Sequence, residues 1–69
     1  MLIVYSARCL ACANKPLWKH LNTYALQNKL KFEVRRVDLN RHYREEAAQY
    51  GFSYPFVVKD GIAMGIEQL

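Results

Sequence analysis

The 69-residue chain predicts an α/β domain of order βαβαββ, a four-stranded mixed sheet with helices packed against it. Three observations carry that expectation. Leu2-Ile3-Val4-Tyr5 is a continuous apolar run, as a strand buried on both faces requires. Apolar residues at helical spacing follow from Leu10, and Asp60-Gly61 separates two short apolar runs near the C-terminus.

Taken in order, residues 2–5 read as a central strand. From Leu10 to about Asn28, the residues Leu10, Ala13, Leu17, Leu21 and Ala25 recur at three- and four-residue steps, one buried stripe of a helix. Pro16 lies inside that pattern and cannot donate to the carbonyl of Cys12, which predicts a kink in one continuous helix. Lys31 to Asp38 is the second strand, with Phe32 and Val34 on one side and Glu33 and Arg35 on the other. Arg36-Val37 departs from that phase, and the charge suits a sheet edge. Asn40 caps a second helix, Arg41 to Tyr50, which stops at Gly51. Pro55-Phe56-Val57-Val58 is a third strand with proline first, where no ladder donor is missed. Asp60-Gly61 then turns the chain into a fourth, Ile62 to Met64. The first two strands, joined through a helix, should be parallel with a right-handed crossover, and the last two an antiparallel hairpin.

The length fits one domain, 1–69, whose small core must use every apolar face. The first apolar run is shorter than the roughly 7–15 residues of a signal-peptide core or the about 20 of a membrane span. A reducing cytoplasm is therefore the expected compartment, with no membrane partner. The net charge of +4 reads as an ordinary excess of Lys and Arg, so no nucleic-acid partner is expected.

Cys9-Leu10-Ala11-Cys12 holds the only two cysteines, just where the first strand hands over to a helix. Thiols three residues apart on a first helical turn share one face, close enough to form a disulfide. The loop so closed is too small to staple a fold, which argues for a redox pair over a structural bridge. Free amide donors and the dipole at a helix start favour a thiolate, and Arg8 and Lys15 add positive potential. Cys9 is thus expected to be the exposed nucleophile of low pKa and Cys12 the less exposed resolving thiol. Zinc is the rival use of such a pair, but His20 and His42 lack the spacing of a zinc site, so no metal site is expected. A cluster shared between two chains would need the same two thiols. Trp18, Tyr24, Tyr43 and Tyr50 read as packing residues on helices; Tyr54-Pro55 reads either as a plain turn with proline at a strand start or as a cis bond, which aromatic-Pro sequences favour more than most.

A strand ending in Tyr-Ser, Cys-x-x-Cys opening a helix, then βα and x-Pro leading into a hairpin resembles the thioredoxin fold. Within it the chain most resembles the glutaredoxins, over essentially its whole length. Ser53-Tyr54-Pro55 falls where that family has Thr-Val-Pro with a cis proline, and Gly65-Ile66-Glu67-Gln68-Leu69 resembles the segment that starts its last helix. The resemblance implies a thiol–disulfide oxidoreductase that reduces protein disulfides or glutathione mixed disulfides, with ribonucleotide reductase as a target. It implies that Cys9 attacks, that the Tyr54 backbone pairs with a substrate's extended chain, and that Tyr5 and Tyr54 flank the site. Arg8 would take the place of a glutathione-binding lysine, and Ile66 and Glu67, after Gly65, would meet the γ-glutamyl end of glutathione. No tightly bound cofactor is implied; glutathione is the expected reductant. The chain departs from the family in its Leu-Ala dipeptide, in a shorter loop before Cys9, and in Met64, which replaces the first of two glycines. Reduction by thioredoxin reductase, or metal or iron–sulfur binding by the same cysteines, are the alternatives. The chain ends where the family's final helix would begin: either the sequence is truncated there, or a face of the sheet beside the first helix is left poorly covered. An apolar patch so left would favour a weak dimer or a partner over a monomer.

Overall fold

The computed structural model describes residues 1–69. Its strands are β1 (Leu2–Ser6), β2 (Phe32–Arg36), β3 (Phe56–Lys59) and β4 (Ile62–Gly65), and its helices α1 (Leu10–Ala13), α2 (Lys15–Gln27) and α3 (Arg41–Ala48). They form a small mixed α/β domain with one sheet in the order β2-β1-β3-β4. As expected, β1 and β2 are parallel and β3 and β4 antiparallel; β3 also runs antiparallel to β1.

The apolar run at the start of the chain is explained by what lies on either side of β1. Leu2 and Val4 point to one face and join Leu10, Leu21, Val57 and Ile66, against α1 and α2. Tyr5 points to the other and joins Val37, Ala47, Phe56 and Val58, under α3. Alternation along β3 divides Val57 from Phe56 and Val58 in the same way.

Charge and caps fix the periphery. On the edge strand β2, Arg35 reaches Glu46 of α3 at 2.9 Å. The Asn40 side chain accepts from the backbone N–H groups of His42 and Tyr43 and starts α3. Asp60 and Gly61 both take positive φ, +53° and +81°, as a two-residue hairpin turn between Lys59 and Ile62 needs. After β4 the chain closes a single 3-10 turn, Ile66–Gln68. No helix is long and apolar enough to cross a membrane.

The first helix differs from the expectation. In place of one kinked helix there are two, broken at Asn14, whose φ of −145° and ψ of 78° are not helical. The Asn14 side chain accepts from the Leu17 N–H at 3.3 Å, so it caps α2. Pro16 then sits in the first turn of α2, where its missing donor costs nothing. The apolar spacing runs through both pieces in the sequence, so periodicity alone does not reveal the break, although Ala13, expected on the buried stripe, is exposed there.

That break yields a stability prediction. Asn14→Ala should lower the unfolding free energy by about 1 kcal/mol, and Asn14→Gly by only about a few tenths. Urea denaturation followed by circular dichroism reads both; equal losses would show that the side-chain cap does not hold the break.

Candidate functional site

Three chain segments meet at the C-terminal end of β1. Ser6 is its last residue and is buried. The Ser6 hydroxyl donates to the Arg8 carbonyl and accepts from the Arg8 N–H, which folds the short loop tightly. Cys9 therefore arrives as the N-cap of α1, extended at φ −61° and ψ 106°. Its carbonyl accepts from the N–H groups of Cys12 at 3.1 Å and Ala13 at 2.9 Å, closing the one turn of α1.

Both cysteines are free thiols, and their exposure is the reverse of the expectation: Cys9 is half-buried and Cys12 exposed. Leu10 turns into the core, which leaves Cys12 on the solvent side of the turn. Cys9, at the cap, lies against Trp18, Val34 and Arg36 in a groove between α1, α2 and β2. It is open to that groove and not sealed in the core.

The electrostatics distinguish the two thiols. The Cys9 thiol is held below its ordinary pKa, chiefly by the Cys12 thiol donating toward its sulfur and then by the Cys12 backbone N–H. Desolvation opposes this, and the Arg36 charge adds a smaller lowering effect. Cys12 is pushed up, because a charged Cys9 both accepts from its thiol and repels a second negative charge. The pair thus favours one thiolate, at Cys9, and one thiol, at Cys12.

Arg36 went unnoticed in the sequence pattern, where it looked like a loss of phase. It continues the phase: Phe32, Val34 and Arg36 alternate on one side of β2, and the parallel register sets Arg36 beside Ser6, where that side gives onto the cysteines. Asp38 grips it, with Nε to Oδ1 at 2.8 Å and Nη2 to Oδ2 at 2.6 Å. The charge acting on Cys9 comes from this strand end rather than from Arg8 or Lys15.

A second cavity, of about 280 Å³, adjoins the first. Arg8, Tyr54 and Pro55 line it with Ser6, Leu10 and Asn14. The Tyr54–Pro55 bond is cis. Leu10 borders both hollows, so the Tyr54–Pro55 segment and Cys9 stand on either side of one turn of helix. Tyr54 is partly exposed and stacks on Phe56 at 5.8 Å.

Other expected site residues lie elsewhere. Tyr5 does not flank the cysteines: its ring packs 5.2 Å from Phe56 on the α3 side, and its hydroxyl donates to Glu46. Neither hollow is lined by Gly65, Ile66 or Glu67. The Ile66 side chain is fully buried in the core, which leaves only its backbone for a ligand. Glu67 is exposed, and its carboxylate folds back over Gly65, where a Cβ would collide with it. His42 pairs with Glu46 at 3.2 Å, and no three His, Cys, Asp or Glu side chains gather as a metal site.

The lowered Cys9 pKa means that its thiolate persists to lower pH than that of an ordinary thiol. Iodoacetamide labelling near neutral pH, mapped by mass spectrometry, should therefore modify Cys9 before the more exposed Cys12. Cys12→Ala removes the strongest donor and should move the Cys9 labelling profile to higher pH. Cys12 labelled first, or an unmoved profile, would contradict this assignment.

Comparison with protein-family models, with curated proteins and with solved structures finds no match to this chain in any of the three.

Proposed function

We propose that this chain is a thiol–disulfide oxidoreductase of the thioredoxin fold, similar to the glutaredoxins, that works through Cys9 and Cys12. The observation that carries the reading is the cysteine pair itself: a half-open thiol on a helix cap, biased toward the thiolate, with its partner one turn on. The mixed sheet and the placement of Tyr54–Pro55 beside that turn support it.

The chemistry follows from the two thiols. The Cys9 thiolate attacks one sulfur of a substrate disulfide, and that S–S bond breaks as the new one forms. The departing sulfur leaves as a thiolate and takes a proton from water. Cys9 is then a neutral sulfur, so the two effects of its charge on Cys12 are gone and only desolvation still raises it. Cys12 loses its proton to solvent and attacks Cys9, releasing the second substrate thiol. The substrate gains two electrons, and the enzyme is left with a Cys9–Cys12 disulfide.

Resetting that disulfide requires two electrons from glutathione or from a reductase. The cavity beside Cys9 gives the glutathione route its support, since it offers the Arg8 cation and the Tyr54–Pro55 backbone to a small anionic peptide. A protein disulfide would present an extended chain to the same backbone. The reducing setting this cycle needs is that of a cytoplasm.

The test is disulfide reduction coupled to glutathione and its reductase, repeated with thioredoxin reductase, for wild type and two variants. Cys9→Ser should fall to background in either system. Cys12→Ser should keep turnover of glutathione mixed disulfides, which need one cysteine, and lose protein-disulfide reduction. Equal activity in all three proteins would refute the proposal.

A further inference from the structure

The hollow that holds Cys9 is not the one that holds Tyr54 and Pro55. Cys9 faces a groove lined by Leu10, Ala11, Trp18, Val34 and Arg36. Its walls are mainly apolar, and its volume, about 210 Å³, is below the about 300–1,000 Å³ of sites that enclose a whole small molecule. One aliphatic or aromatic side chain is the occupant of that scale. Trp18 makes a firm wall, because its ring is braced edge-on by Phe32 at 5.7 Å.

The one cationic side chain in the groove is Arg36, which is 31% exposed. Asp38 takes its Nε and one Nη2 donor and fixes the plane of the guanidinium. The Nη1 donors have no hydrogen-bond partner, so the outer edge of the fork remains free for an anion. The chain's net charge of +4 adds a general attraction for acidic partners.

We propose that this groove is a recognition subsite for protein disulfides in which the attacked cysteine is followed by an apolar residue and then a carboxylate. The apolar side chain would pack on Trp18 and Val34, and the carboxylate would accept from Arg36. The inference rests on the oxidoreductase reading and names the substrate class for its first step. That step is the exchange described above: Cys9 bonds to the substrate cysteine while the substrate's other cysteine leaves as a thiolate and is protonated.

The probes are four symmetric peptide disulfides, identical except for Cys-Leu-Asp, Cys-Leu-Lys, Cys-Ser-Asp or Cys-Ser-Lys at the centre. Symmetry makes the two sulfurs equivalent, and stoichiometric pre-reduced protein supplies the electrons. Wild type should reduce the Leu-Asp peptide fastest, by about fivefold over Leu-Lys, the scale of one partly exposed ion pair. Leu-Asp should also outpace Ser-Asp. Arg36→Gln should slow every peptide through Cys9, but only loss of the subsite collapses the Asp-to-Lys ratio toward one. Four equal wild-type rates, or a ratio that survives Arg36→Gln, would overturn the subsite and leave the oxidoreductase intact. No reduction of any peptide by wild type would overturn both.

Discussion

Ser6 ends the most enclosed strand of the sheet, and its hydroxyl closes the loop that presents Cys9. The rest of the site depends on that anchor. The parallel register of β2 places Arg36 opposite Ser6, on the side that opens onto the cysteines. The antiparallel register of β3 pairs Phe56 with Tyr5, so the Tyr54–Pro55 segment just ahead of it arrives at the same strand end. Two pairings with one buried strand thus bring together residues far apart in the chain. β1 can serve in this way because it is packed on both faces, against α1 and α2 on one and α3 on the other.

The cysteine pair is organised by charge more than by exposure. Cys12 is the more accessible sulfur, yet its proton is needed where it is, because donating it toward Cys9 stabilises the thiolate there. Arg36 reinforces the same choice from the neighbouring strand, and Asp38 holds Arg36 in place. Accessibility and the bias toward the thiolate therefore fall on different atoms. In the proposed cycle the exposed thiol, facing solvent one turn from Cys9, is the one that would resolve a mixed disulfide.

Much of this was legible from the residues, and the parts that were not share a cause. The Leu2–Tyr5 run, the Asn40 cap and the Asp60-Gly61 turn each state a local requirement, and the fold meets each one. The Asn14 break was hidden because a stripe of apolar residues keeps its phase through a cap, and Pro16 is equally at home in a first turn. The exposure order of the cysteines was hidden because the groove walls around Cys9, Trp18, Val34 and Arg36, come from α2 and β2, away from it in the chain. Arg36 was hidden because strand alternation names a side but not what lies beyond the strand's end. Tyr5, two residues from the loop, sounded like a site residue; its parity in β1 sends it to the far face. Local chemistry is written in the sequence, whereas the company each group keeps is set by register.

The central claim is that the Cys9 sulfur is the one that reacts first with a disulfide. Its most direct test is to incubate Cys12→Ser and Cys9→Ser side by side with glutathione disulfide. Intact-mass measurement compares how fast each gains an adduct, with the slower adduct expected on Cys9→Ser. The account predicts a single glutathione on Cys9, trapped because nothing remains to resolve it. A Cys12→Ser protein that stays unmodified, or gains its adduct no faster than Cys9→Ser, would contradict the account.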